Sequence, residues 1–181
     1  MSLIFFYQIP PVGVILCTYE TTTRRNWMIR SAKISDAKEI LRLVRFWADK
    51  GRLLPRSLND IYERIRDFFI VEREGRIIGA VSLAVVWEDI AEVRSLVVED
   101  GHEGQGIGRE LVEHCVETAR VLGVKQLFAL TYVPKFFVKL GFNEIDKQTL
   151  PHKIWSDCVR CHRFPDCDES AVLILLEEKK G

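Results

Sequence analysis

A mixed α/β (α+β) domain is what this sequence predicts, on three observations. Strand-like and helix-like apolar periodicities alternate from Met28 onward. Glu74-Gly75 sits between two apolar runs and signals a hairpin in mid-chain, which argues against a TIM barrel or a doubly wound parallel sheet. At 181 residues with 48% hydrophobic content, the chain can bury one core and has little left for a second domain.

In chain order, Met28–Ala32 reads as a short strand. Ser35 and Asp36 offer an N-cap, and Ile40, Leu41, Val44 and Trp47 fall at helical spacing up to Gly51. Leu53-Leu54-Pro55-Arg56 is a loop, and Ser57 can cap a second helix carrying Ile61, Ile65 and Phe68. Phe69–Arg73 and Arg76–Trp87 are the hairpin strands, and Ala91–Glu99 is another strand. A helix over Gly108–Leu122 carries the stripe Leu111, Val112, Cys115, Val116 and Ala119, and Gly123 ends it. Val124–Leu130 is a strand, Pro134–Leu140 a short helix stopped by Gly141, Phe142–Ile145 a strand and Ala171–Leu176 the last one. Residues 150–170 are irregular and rich in cysteine.

Residues 1–27 do not share the regular pattern that begins at Met28. Thr21–Asn26 reads as a polar linker, and Met28 as the functional start, with 1–27 an N-terminal extension or cloning addition and 28–181 the domain. The alternative is an extra strand over Val12–Tyr19. The opening apolar stretch lacks a basic leader and contains Pro10, Pro11 and Gly13, so a cytoplasmic location is expected rather than export. No run of 18 apolar residues exists, so no membrane span is expected. Lys plus Arg and Asp plus Glu are 26 each, which argues against a nucleic-acid partner.

The chemistry is concentrated in Arg94–Glu110, RSLVVEDGHEGQGIGRE. A strand runs into Gly101, Gly104, Gly106 and Gly108, and a helix starts directly afterwards. Glycines let backbone N–H groups approach an anion, and a helix N-terminus adds partial positive charge. The spacing is not GxGxxG, and no GKS or GKT comes after it, so neither a dinucleotide fold nor a P-loop is supported. Taken alone, the motif is equally a turn without a ligand.

The whole arrangement resembles the GCN5-related N-acetyltransferase (GNAT) superfamily across Met28–Leu176. That family has a central, mostly antiparallel twisted sheet and a loop of pattern Arg/Gln-x-x-Gly-x-Gly/Ala, here Glu103-Gly104-Gln105-Gly106-Ile107-Gly108. Glu103 departs from the usual Arg or Gln. Phe136–Phe142, FFVKLGF, matches a later signature. Within the superfamily the chain is similar to the acetyltransferase domain of N-acetylglutamate synthases, especially the short forms without a kinase domain. The matching stretches are Ile29–Ala32 with Ser35-Asp36, Gly51–Ser57 (GRLLPRS), Glu92–Arg94, Leu127–Thr131 (LFALT), Phe136–Phe142 and Leu150-Pro151.

The resemblance implies acetyl-CoA as cosubstrate and direct transfer to the α-amino group of L-glutamate, opening arginine biosynthesis. Another amine (glutamine, another amino acid, a peptide) or a non-catalytic acetyl-CoA-binding module are the alternatives. It implies that the amides of Gly104, Gln105, Gly106, Ile107, Gly108 and Arg109 hold the diphosphate, and that the backbone of Leu96, Val97 and Val98 pairs with the pantetheine arm. Glu92 matches the general base. Strand alternation puts Glu92, Arg94, Leu96 and Val98 on one face unless the family's bulge intervenes. The tyrosine that many members use as acid aligns with Phe137, so Tyr132, or Thr131 beside it, is the candidate acid, with water or no acid as alternatives. Arg56 matches an acceptor-binding arginine; Arg94 and Lys153 are further cations for a dicarboxylate, and Ser57 either adds a hydroxyl or caps its helix. A homodimer is left open.

Cys158-x-x-Cys161-His162 with Cys167 admits three readings. A c-type haem string is disfavoured, since its chemistry needs export. A structural zinc held by Cys158, Cys161 and Cys167 with His162 or His152 is the second. Reduced thiols in a C-terminal flap are the favoured one, and no metal is expected to take part in the chemistry.

Overall fold

The computed structural model describes residues 26–150 and 168–176. The alternative strand at Val12–Tyr19, Lys153, His152, His162 and the cysteines at 17, 158, 161 and 167 lie outside the described residues.

Met28–Ser31 (β1) pairs antiparallel with Phe68–Arg73 (β2), which pairs with Arg76–Val85 (β3), which pairs with Ile90–Val98 (β4). Gln126–Thr131 (β5) lies parallel to β4, the one parallel pair among the described strands. Asn143–Ile145 (β6) and Ser170–Leu175 (β7) complete the order β1-β2-β3-β4-β5-β7-β6. Glu74 and Gly75 both have positive φ (52° and 76°) and link Arg73 to its partner Arg76. That is the two-residue turn whose twist matches its strands.

Helices cover both faces. Ala37–Asp49 (α1) and Leu58–Glu63 (α2) bury Ile40, Leu43, Val44 and Ile61 against Ile70, Ala80 and Val97. Ile107–Val121 (α3) buries Leu111, Val112, Cys115 and Ala119 on the other face, against Val81, Ala91 and Val93. Each fully buried Val, Leu or Ile side chain among these is worth about 1.5–3 kcal/mol before entropy. Pro134–Val138 (α4) joins this second core through Phe137.

Local chemistry explains the boundaries. Asp36 does not cap α1 itself. Its carboxylate accepts the Lys33 N–H at 2.7 Å at the start of a 3₁₀ turn, Ile34–Asp36, that leads into the helix. Arg30 donates two hydrogen bonds to Asp36 and one to Glu72, tying β1, β2 and α1 together, and holds the Asp36 carboxyl below its usual range. Ser57 caps α2 as expected, its Oγ accepting the Asp60 N–H at 3.0 Å. The helix ends sooner than its apolar spacing suggested: Arg64 leaves helical geometry, Ile65–Asp67 forms a 3₁₀ turn, and Phe68 opens β2 opposite Ser82. Strand β3 stops at Val85, not Trp87, because the Val86 and Trp87 N–H groups both turn to the Ile90 carbonyl. Trp27 belongs with the domain: its indole donates to Glu110 on α3 at 2.7 Å and packs on the α3 core. Among the described residues, no helix is long and apolar enough to cross a membrane.

Candidate active site

Strands β4 and β5 pair only at their beginnings: Ile90 with Gln126, Ala91 with Leu127 and Glu92 with Phe128. Beyond Glu92 they part. From Val93 to Val98, β4 keeps β3 on one edge and, among the described residues, has no strand on the other. Over that length, roughly 20 Å of strand, main-chain groups face a cleft and can pair with an extended ligand as another strand would.

The opened stretch contains the bulge. Val97 pairs with Ala80 and Arg94 with Ser82, so Ser95 and Leu96 together stand opposite Val81. Ser95 has a left-handed φ of 51°. The extra residue switches the facing of the strand. Ala91 and Val93 before it, and Leu96 and Val98 after it, pack on the α3 core, whereas Val97 joins the α1–α2 core. Glu92 and Arg94 therefore lie on the face opposite Leu96 and Val98, and the single-face pattern of simple alternation is corrected.

Glu99 donates its N–H to the Ile78 carbonyl, so the alternating ladder turns the main-chain groups of Val98 toward the cleft and those of Val97 toward β3. The Val98 carbonyl is already engaged: the Trp47 indole on α1 donates to it at 2.7 Å. The Val98 N–H and the Leu96 main chain remain for a ligand strand. Glu99, buried, anchors the far end by pairing with Arg42 of α1 at 3.0 Å and Arg76 of β3 at 2.6 Å.

Past Glu99, Gly101, Gly104 and Gly106 all have positive φ (82°, 74° and 93°), and Gly106 is the residue from which α3 starts. The turn hands the free N–H groups of the first helical turn to the mouth of the cleft. Glu103 is exposed, and its carboxylate folds back to accept the Gly101 N–H at 2.7 Å. Gln105 reaches the Gly101 carbonyl at 3.4 Å, and Arg109 pairs along the helix with Glu113, so both side chains are used locally. Ile107 is core. Gly79 on β3 lets α3 approach: a Cβ there would stand 2.9 Å from the Ile107 side chain.

At the fork, Glu92 is buried and ion-paired with Arg94 at 2.5 Å. Arg56, from the loop before α2, donates its Nε to the Ser95 hydroxyl at 2.7 Å. Burial lowers the pKa of Arg56, and the nearby Arg94 and Arg64 lower it further. Asp67 is displaced the other way: burial raises it, against the pull of Arg64 and Arg94. The fork thus gathers the guanidiniums of Arg56, Arg94 and Arg64 near the carboxylates of Glu92, Asp60 and Asp67, and the hydrogen-bond partner of Arg56 is a neutral hydroxyl. Ser57 serves as the cap of its helix, and its hydroxyl also donates to Asp60. On the β5 side, the Tyr132 hydroxyl is buried and Thr131 accepts the Val133 N–H at 3.0 Å. Phe137 is core, edge-on to Phe142.

The model of the acetyltransferase (GNAT) family matches residues 35–142, more than half of the chain. The chain belongs to the GNAT acetyltransferase family. It is an acetyl-CoA-dependent N-acetyltransferase, and the glycine turn with its open β4 edge fits that cosubstrate. It is 39% identical over 145 residues to the uncharacterized N-acetyltransferase CT2212 of Chlorobaculum tepidum, spanning 80% of this chain and 94% of that one. It is 31% identical over 138 residues to an amino-acid acetyltransferase of Mycobacterium tuberculosis, spanning 75% and 79%. Among solved structures, Rv2747 from Mycobacterium tuberculosis in complex with CoA and NLQ superposes with a TM-score of 0.72 at 29% identity, over 83% of this chain and 99% of that one. The N-acetylglutamate synthase of Neisseria gonorrhoeae, complexed with coenzyme A and N-acetyl-glutamate, gives a TM-score of 0.78 at 26% identity, over 86% of this chain and 36% of that one.

In this GNAT acetyltransferase, the seven-stranded, mostly antiparallel sheet is the one the family resemblance implied. Sequence reading missed Trp47, Ser95, Arg64 and Asp67. Trp47 sits at core spacing, and nothing local tells that its N–H reaches β4. Ser95 carried a signal, a small polar residue inside an apolar strand that leads to the glycine turn. The cradle gives a direct test. Gly106→Ala makes an L-residue strained by roughly 1–2 kcal/mol at φ near 93°; the unliganded turn sheds that strain by rearranging, and rebuilding the cradle on binding restores it, so acetyl-CoA affinity should fall about tenfold. Gly108→Ala, whose Cβ would lie 3.5 Å from Phe136 in ordinary contact, should change it no more than about twofold. Titration calorimetry with acetyl-CoA reads both; equal effects would remove the cradle argument.

Proposed function

We propose that this enzyme acetylates the α-amino group of an amino acid, with L-glutamate as the acceptor, which would make N-acetyl-L-glutamate and open arginine biosynthesis. The observation that carries this reading is Arg56. It is a desolvated cation hydrogen-bonded to a neutral hydroxyl, and around it the repulsion of Arg94 and Arg64 outweighs the attraction of the Glu92 and Asp60 carboxylates. Such a group is stabilised by an incoming carboxylate, and its Nη fork remains to bind one bidentately. The relatives named amino-acid acetyltransferase support the same acceptor class.

Bound acetyl-CoA supplies an acetyl thioester, with its pantetheine paired along Leu96 and the Val98 N–H and its diphosphate in the amides from Gly104 to Arg109. The acceptor, a carboxylate on Arg56, presents its amine at the fork. Glu92 takes up the proton that the ammonium must lose, directly or through one water. Arg94 holds the Glu92 carboxylate in place and is therefore not the primary acceptor cation. As the new N–C bond forms and the C–S bond breaks, the departing sulfur leaves as thiolate or takes a proton from Tyr132, Thr131 or water.

Release of CoA thiol across a panel of L-glutamate, L-glutamine, other amino acids and a peptide amine tests the proposal. L-Glutamate should show the highest kcat/KM, and amines without a carboxylate should be poor. A peptide amine ahead of every free amino acid would overturn it.

A further inference from the structure

Ser95 is an anomaly on three counts. It is the one non-glycine residue within a described strand that has a positive φ, 51°. It is buried, 8% exposed, in the middle of the strand that carries the chemistry. And its hydroxyl makes a 2.7 Å hydrogen bond to the Nε of Arg56, whose loop lies 39 positions earlier in the chain. A serine gains nothing from left-handed geometry that a glycine would not hold with less strain. Strain kept at a buried position is a pointer to what the side chain does there.

The bulge explains the placement. In a regular strand, Ser95 would face away from Arg94. The extra residue opposite Val81 turns the chain so that Arg94 engages Glu92 and Ser95 engages Arg56, consecutive residues serving the same fork. By accepting from Nε, Ser95 fixes the plane of the guanidinium and leaves both terminal nitrogens as a fork for a carboxylate. The hydroxyl is neutral, so it orients the cation without consuming its charge.

We propose that Ser95 is a positioning residue for acceptor specificity: its strained backbone is retained because it aims the Arg56 guanidinium at the acceptor carboxylate. This rests on the reading that Arg56 binds that carboxylate. Ser95 does not touch the reacting atoms; it acts through Arg56.

The test uses the full chain, acetyl-CoA and L-glutamate, with four variants: Ser95→Ala, Ser95→Gly, Arg56→Ala, and Ser95→Gly combined with Arg56→Ala. Ser95→Gly relieves the left-handed strain, so its melting temperature should be no lower than that of the parent. Even so, its glutamate KM should rise about fivefold to tenfold, with kcat and acetyl-CoA KM changed by no more than about twofold. Ser95→Ala keeps the strain and should show the same KM rise. In the Arg56→Ala background, Ser95→Gly should add nothing further. If Arg56→Ala raises the glutamate KM while both Ser95 variants leave it unchanged, the positioning role is overturned and the Arg56 reading stands. If Arg56→Ala itself leaves the glutamate KM unchanged, the carboxylate reading fails, and the role of Ser95 with it. A rise in KM for Ser95→Gly that persists at full size in the Arg56→Ala background also overturns the proposal.

Discussion

Glu92→Gln is expected to turn over more slowly by a factor on the order of 100 or more, while acetyl-CoA binds nearly as before. The amide is close in shape to the carboxylate and can still face Arg94, but it cannot take up a proton. The substitution sits at the fork, where β4 and β5 are last paired through Glu92 and Phe128. The proposed diphosphate cradle lies beyond the other end of the open edge, which is why the two readouts should separate. Single-turnover thiol release and a binding titration on the same preparation check this. Wild-type turnover with the glutamine variant would show that the proton leaves by another route. Substituting Arg94 should give a weaker form of the same loss, because a carboxylate held by a guanidinium at 2.5 Å is fixed in place before the acceptor arrives.

Arg56→Ala is expected to raise the KM for L-glutamate about 10- to 150-fold, since a charge-assisted hydrogen bond is worth roughly 1.5–3 kcal/mol. Acetyl-CoA KM should hardly move. Removing this side chain should not lower the melting temperature much. The guanidinium is desolvated, the repulsion of Arg94 and Arg64 exceeds the attraction of Glu92 and Asp60, and its hydrogen-bond partner is neutral, so it adds little to the unliganded fold. Binding lost without stability lost is the signature of a residue kept for its ligand. A variant that unfolds early with an unchanged glutamate KM would instead make Arg56 a structural residue, and L-glutamate would lose its main support as acceptor.

Much of this enzyme can be read along the chain. Periodicity locates α1 and α3, because one apolar stripe every third or fourth residue has a single satisfactory way to bury itself. Glu74-Gly75 fixes a hairpin, because a left-handed pair of residues joins twisted strands at least strain. The glycine turn ahead of α3 marks the proposed diphosphate site, because anion binding there would use main-chain amides and need no particular side chain. Glu92 and Arg56 were within reach of motif resemblance for the same kind of reason: each lies in a short segment whose neighbours are informative.

What tertiary structure alone decided is how those segments meet. Phe68 fits the helical stripe of α2 equally well, and pairing with Ser82 turned it into a strand residue. Glu92 and Leu96 share a face by alternation, and one bulged residue at Ser95 put them on opposite faces. Trp47 reads as core, yet its N–H closes one carbonyl of the open β4 edge. The physical reason is common to all three. Local periodicity fixes which residues want burial, but strand pairing, a one-residue slip and a cross-chain hydrogen bond are contests between segments far apart in sequence, and only the folded packing settles which partner wins.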